Sequence, residues 1–165
     1  MFRARCISLF CVLIGISTGP ANSQEAPPSV ANDSQIQDRQ SLETQAPLFA
    51  GMGPHRRTIT TDSQEAQKYF NQGLTWIYAF NHDEAIRSFL RAAELDPDCA
   101  MAWWGVAHCE GPNYNDAVMT EGRSKAAWYA LQNALARIEN TAPVDRALIE
   151  ALAHRYANPW PEPWG

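Results

Sequence analysis

The chain is short of positive charge and lacks the short motifs of common catalytic and metal sites. Thirteen Lys and Arg residues stand against 18 Asp and Glu residues, for a formal net charge of −5. An acidic chain gives no support to binding of nucleic acid or of an anionic membrane surface. No CxxC, HExxH or CxxCH spacing occurs, and there is no glycine-rich phosphate loop. We therefore expect neither a cofactor nor a metal, and no catalytic residues.

The N-terminal apolar run is too short to span a bilayer, which needs about 20 residues. It covers residues 6–16, follows Arg3 and Arg5, and precedes a run of small residues at 21–23. A positive start, a short apolar core and a small-residue cleavage site are the parts of a secretory signal peptide. We predict that residues 1–23 are removed on export, which places the protein in the periplasm or outside the cell with no later membrane insertion. An uncleaved anchor is the alternative.

Only four cysteines are present, and two of them fall in the predicted signal peptide. The other two, Cys99 and Cys109, are predicted to lie on one helix. Ten residues of helix separate them by about 15 Å, whereas a disulfide needs Cα atoms within roughly 7 Å. We predict no bridge between them, which leaves two buried thiols or a link to another chain.

Two segments have few residues able to form a core. Residues 24–58 are rich in Gln, Ser, Pro and Asp, a composition typical of a flexible linker. Local docking of Leu48 and Phe49 is the alternative for its last part. Residues 158–165 form a Pro- and Trp-rich stretch that we expect to be an irregular tail.

Between these segments, residues 59–157 carry helical signals. A first helix is predicted from about Asp62 to Ala79, with Thr61 or Asp62 as its N-cap. Asn81 is the predicted N-cap of a second helix that runs to Leu95, before Pro97 stops it.

This first helical hairpin carries small and aromatic residues at fixed spacing. The pattern is that of the 34-residue unit of the tetratricopeptide repeat (TPR) family, where small residues permit close helix contact and bulky ones fill the gaps. Gln72 departs from it, because an apolar residue is usual at that position. The matching residues are Tyr69, Gly73, Ala85, Phe89, Ala92 and Pro97.

More narrowly, the chain resembles a group of exported bacterial TPR proteins. The resemblance rests on AQKYFNQGLTWIYAFNHDEAIRSFLRAAELDPDCAMAWWGVA at residues 66–107 and on GPNYN at residues 111–115. It implies a right-handed stack of helical hairpins that holds partners, with no known catalytic activity.

A second hairpin and half of a third follow. The second pairs residues 100–109 with residues 125–138 across an eight-residue insertion, and a further helix is predicted from Pro143 to Tyr156. The predicted fold is therefore an all-α, TPR-type solenoid of about two and a half hairpins. Because such solenoids usually need three or more units, we expect either a longer protein of which this is the front part, or pairing with another chain.

In this arrangement, one face of each first helix lines a concave groove, which is predicted to be apolar and aromatic. Such anchors supply binding energy in peptide recognition, so we predict a protein or peptide partner. The alternative is that these residues are covered by further helices. The predicted groove residues are Gln67, Phe70, Leu74, Ile77, Tyr78, Met101, Trp104 and His108.

Two other sites and two other functions stay open. Asn113, Tyr114 and Asn115 form either a ligand-binding lip or a self-bonded turn. His82, His108 and Cys109 are candidates for a metal site, although turn and packing roles explain them as well. Besides a non-catalytic scaffold, the chain could be the docking region of a longer enzyme or a metal-binding protein.

Overall fold

The computed structural model describes residues 46–157, and every regular element in that range is helical. The all-α prediction is confirmed for these residues. The predicted signal peptide, residues 24–45 of the predicted linker and the predicted tail lie outside them. The elements are α1 (Gln64–Tyr78), α2 (His82–Leu95), α3 (Ala100–Glu110), α4 (Glu121–Leu135), a 3-10 turn (Ile138–Asn140) and α5 (Pro143–Ala153).

Ser63 caps α1, in place of the predicted Thr61 or Asp62. Its hydroxyl accepts a hydrogen bond from the Ala66 N–H at 3.1 Å, which satisfies one of the free donors at the helix start. The Thr61 hydroxyl instead donates to the carboxylate of Asp96. The residue expected to cap α1 therefore ties the start of α1 to the end of α2.

The bounds of α2 agree with prediction. The Asn81 side chain accepts from the Glu84 N–H at 3.3 Å, and the helix ends at Leu95. In a capping box, the Glu84 side chain would also accept from the Asn81 N–H. Here the Glu84 carboxylate pairs with Arg87 instead. The Asn81 N–H donates to the Trp76 carbonyl at 3.0 Å instead.

The later helices depart from their predicted bounds. α4 begins at Glu121 rather than Lys125, because the Thr120 hydroxyl caps it by accepting from the Arg123 N–H. It ends at Leu135, before the 3-10 turn. α5 ends at Ala153, and Tyr156 is buried beyond it with its hydroxyl donating to the Ala107 carbonyl at 2.6 Å.

Helices α1, α2 and α3 meet around the buried ring of Phe89. A Cβ on Gly73 of α1 would lie 2.6 Å from this ring, and one on Gly105 of α3 would lie 2.5 Å from it. Phe70 packs on the same ring with centroids 5.4 Å apart. The predicted role of Gly73, to permit close helix contact, is confirmed. Along the chain, α1 packs on α2, α2 on α3, α3 on α4 and α4 on α5.

The two described cysteines are free, buried thiols on either end of α3. Burial raises the pKa of the Cys99 thiol to about 11, and burial also raises the pKa of Cys109. Both side chains are therefore protonated and unreactive at neutral pH.

Residues 46–49 contact one side of α1, although the sequence placed them in a flexible linker. The Gln72 amide donates to the Pro47 carbonyl at 3.0 Å and accepts from the Phe49 N–H at 2.8 Å. The Phe49 ring meets Trp76 edge-on at 5.7 Å. Gln72 stands where the repeat pattern usually has an apolar residue. Its polar side chain is explained by these hydrogen bonds to residues 47 and 49. The docking alternative for Phe49 describes the structure better than a free linker does.

The chain then reverses and returns along another side of α1. Gly51 and Gly53 have φ values of +81° and +82°, which favour glycine. We call residues 55–60 the strap. It forms no helix or strand, and His55 at its start contacts the Tyr78 ring edge-on at 5.5 Å. These residues lie where the sequence predicted an open groove.

Candidate partner-binding site

The structure places the apolar centre of the predicted groove inside the core. Phe70 and Met101 have no exposed surface, and Leu74 is buried as well. Phe70 packs on Phe89, so its side chain serves the contact between α1 and α2. The prediction that Phe70 and Leu74 line an open surface is therefore corrected. Both residues are buried, as the alternative supposed, but the contact shown for Phe70 is with Phe89 of α2 rather than with a further helix.

Trp104 and His108 stack on each other on α3, with ring centroids 5.1 Å apart. α5 lies over this pair, since the Trp104 indole N–H donates to the Leu148 carbonyl at 3.2 Å. Burial lowers the pKa of His108, and the charges of Arg155 and His82 lower it further. The imidazole is therefore neutral at neutral pH. Both side chains are half-buried rather than open.

Gln67 is covered by the strap. Its amide nitrogen donates to the Arg57 carbonyl at 2.9 Å, and its amide oxygen accepts from the Ile59 N–H at 3.1 Å. Of the groove residues in α1, this leaves Ile77, which is half-buried against the core, and Tyr78 at the end of the helix.

Tyr78 and Phe80 form an exposed aromatic surface at the end of α1. They are 69% and 57% exposed, and they stand at the end of α1 and in the turn after it. The Phe80 ring meets the His82 ring at 6.4 Å. We call Tyr78, Phe80 and His82 the aromatic rim.

Phe80 occupies a backbone position that normally belongs to glycine. Its φ is +58°, the one positive value at a non-glycine position within residues 46–157. Its N–H donates to the Ile77 carbonyl, and the next N–H, of Asn81, donates to the Trp76 carbonyl, both at 3.0 Å. These two bonds define a Schellman motif, which ends helices and favours Gly at this position.

The sequence pattern placed Phe80 between the first two predicted helices and did not identify it as a site residue. The signal was available, because the predicted first helix ends at Ala79 and the predicted cap of the second helix is Asn81, which leaves Phe80 alone between them. A single residue between the end of one helix and the cap of the next favours a left-handed backbone. In this chain that residue is Phe80.

The predicted loop lip is a self-bonded turn in its backbone. The Asn113 side-chain oxygen accepts from the Asn115 and Asp116 N–H groups at 2.9 and 3.1 Å. Arg123 fixes this loop by pairing with Asp116 at 2.5 Å and donating to the Gly111 carbonyl. The Tyr114 side chain projects from it, 94% exposed. The turn alternative accounts for Asn113, and no ligand contact is needed to explain it.

The metal alternative finds no geometric support in the described range. No group of three His, Cys, Asp or Glu side chains within residues 46–157 is placed to hold a metal ion. Cys109, one of the three candidates, is a buried thiol on the inner side of α3.

Comparisons with family models, with curated proteins and with solved structures gave no match to this chain. Among residues 46–157, no helix is both long and apolar enough to cross a bilayer. The function must therefore be argued from the sequence pattern and from the surfaces described above.

Proposed function

We propose that this protein is an exported, non-catalytic, TPR-type scaffold that binds a protein or peptide partner through the aromatic rim. The observation that carries the proposal is Phe80, a large aromatic residue that is exposed and has a left-handed backbone.

The turn requires a left-handed backbone at position 80, but it does not require a phenylalanine side chain there. A left-handed conformation costs an L-residue about 1–2 kcal/mol, and glycine avoids this cost. An exposed aromatic ring also forgoes the gain from burial. Strained backbone at an exposed residue points to a role outside the fold, and aromatic anchors of this kind dominate binding energy at protein interfaces.

The surroundings of Phe80 hold its backbone in a fixed place. Two backbone hydrogen bonds close the turn, and Asn81 caps the following helix. Tyr78 belongs to the last turn of α1, and His82 is the first residue of α2. A preorganised aromatic surface loses little conformational entropy on binding, which favours affinity.

Support for the scaffold class comes from the sequence pattern together with the helical packing. The small residues of the repeat pattern lie at close helix contacts, as Gly73 does against Phe89. Successive helices pack as neighbours along the chain, as stacked hairpins require. Export is supported by the signal-like composition of residues 1–23.

The non-catalytic assignment rests on what the described side chains can do. The thiols of Cys99 and Cys109 are buried with raised pKa values, which is the opposite of an activated nucleophile. His108 stacks on Trp104 and is half-buried under α5. These features fit packing roles.

Site-specific photocrosslinking in the native cell tests the proposal. A photoreactive benzoylphenylalanine at Phe80 is expected to give one discrete covalent adduct, because the ring would sit at the centre of the interface. Tyr78→Ala in the same chain should reduce that adduct at least tenfold.

Val144 provides a matched control, since it is an apolar residue on α5 that is 62% exposed. The same photoreactive residue at Val144 is expected to give no discrete adduct. Identical adducts from both positions, or none from Phe80, would contradict partner binding at the aromatic rim.

A further inference from the structure

The strap is held to α1 chiefly through its main chain. The Asn71 side-chain oxygen accepts from the Arg57 N–H at 3.0 Å. The Gln67 amide bonds the Arg57 carbonyl and the Ile59 N–H. Two side-chain amides thus pair with successive groups of the strap as a neighbouring β-strand would. Such contacts do not depend on the side chains of the segment, so they would suit any extended peptide.

Two side chains of the strap supply its specificity. Ile59 is buried in the core cluster. Arg57 reaches α5, where its guanidinium lies 2.5 Å from the Asp145 carboxylate. Asp145 is 2% exposed, and its other oxygen accepts from the Thr60 N–H at 3.4 Å.

The buried carboxylate of Asp145 limits which segments can bind between α1 and α5. A buried carboxylate without a cation is strongly unfavourable, and on the described residues Arg57 is the cation that pairs with it. Any segment that replaces the strap must therefore bring its own cation to Asp145. An apolar β-branched residue two positions later would fill the place of Ile59.

The strap also has the features of a segment that can leave. Gly51 and Gly53 precede it, with no atom within 4 Å of the place a Cβ would take at either. The Arg57 side chain is 30% exposed, and its Nε has no hydrogen-bond partner. Its neighbour Arg56 is exposed and bonds only local carbonyls.

We propose that α1 and α5 form a peptide-binding site that the strap fills in cis. The ligand is an extended segment of a partner protein with arginine followed two residues later by isoleucine or valine. It binds by displacing the strap, which acts as a built-in competitor. His55 of the strap contacts Tyr78 of the aromatic rim. The peptide site otherwise uses different residues from the rim, and a different experiment tests each proposal, so their failures can be told apart.

Fluorescence anisotropy with a labelled peptide of residues 53–61, GPHRRTITT, tests the site. The full chain carrying Arg57→Ala and Ile59→Ala has a weakened strap and is expected to bind the peptide at least tenfold more tightly than the unmodified chain. The chain carrying Arg56→Ala is the matched control and should bind like the unmodified chain. A peptide with alanine in place of the arginine equivalent to Arg57 should bind at least tenfold more weakly.

Failure of the weakened chain to bind, with its helical circular dichroism intact, would overturn the proposal, as would equal binding of the arginine-free peptide. A stable dimer formed by exchange of straps would also overturn it, because the occupant would then be a second copy. Loss of the cooperative unfolding transition in the weakened chain would show that the strap is required for folding. That result would also overturn the proposal.

Hydrogen exchange on the unmodified chain gives an answer that does not depend on any variant. A displaceable strap opens locally, so the amides of Arg57 and Ile59 should exchange at least tenfold faster than the slowest amides of α2. Exchange of all these amides at one common rate would mean that the strap leaves only on global unfolding, and would overturn the proposal.

Discussion

At the scale of the residue, the same side-chain type serves different ends according to its contacts. Gln72 and Gln67 both lie on α1, one turn and a little more apart, and each binds main-chain groups of the preceding segment. Gln72 is buried and also donates to Ser88 on α2, so it belongs to the fold. Gln67 is half-buried and binds the strap, so it belongs to a site.

Phe80→Gly is expected to raise the free energy of unfolding by about 1 kcal/mol, because glycine removes the cost of the left-handed conformation. Phe80→Ala is the control: it removes the ring but keeps the Cβ, so no such gain is expected. Urea denaturation followed by circular dichroism measures both. A loss of stability in the glycine variant would mean that the ring packs for the fold, and would weaken its assignment to an interface.

At the scale of the element, the helices approach closely where glycine faces the Phe89 ring. Gly105 lies in the interior of α3, where alanine would otherwise be the better helix former. The ring that would meet the new methyl group is fully buried and packed on Phe70. It has no room to move, so packing outweighs helix propensity at this position.

Gly105→Ala is therefore expected to lower the free energy of unfolding by about 1–3 kcal/mol through overpacking. Gly122→Ala is the matched control on α4, where nothing lies within 4 Å of the new methyl group. It should instead raise the free energy of unfolding by about 0.5 kcal/mol. Thermal and urea unfolding of the two variants check the opposite signs, and equal effects would count against the described packing.

At the scale of the whole molecule, α5 and the strap cover residues of the predicted groove. Trp104 on α3 donates to Leu148 of α5. The Ala142 N–H, before α5, donates to the Thr60 hydroxyl of the strap at 3.0 Å. Residues far apart in the chain thus cover the surface that the sequence predicted to be open.

This covering makes stability depend on pH through His108. Burial lowers its pKa from the ordinary value of 6.5, with Arg155 and His82 adding to the effect. The unfolded chain therefore takes up a proton at higher pH than the folded one. The contribution of His108 to stability is present above pH 6.5 and is lost as the pH falls through the lowered pKa.

His108→Gln removes this titration. The urea midpoint of the unmodified chain should fall more between pH 7.5 and pH 5.0 than the midpoint of the variant. His154→Gln, at an exposed position after α5, should behave like the unmodified chain. An identical fall in all three would contradict the burial of His108 under α5.

The helical hairpins could be predicted because their signals are local. Asn81 caps a helix through Glu84, three residues away, and Gly73 and Phe89 keep the spacing of the repeat pattern. The bounds of α4 were predicted less well, because Thr120 and Glu121 follow an insertion that the repeat pattern does not describe.

The sequence by itself determined the helical class, the close contact at Gly73 and the order of the helices within residues 59–157, since each depends on residues a few turns apart. The tertiary structure alone decided which predicted groove residues are reachable. Arg57 meets Asp145 across 88 residues, and Trp104 meets Leu148 across 44. No local periodicity encodes such pairings, because the partners are chosen by how the helices stack. The exposed rim at Tyr78 and Phe80 and the filled site beneath the strap are both results of that stacking.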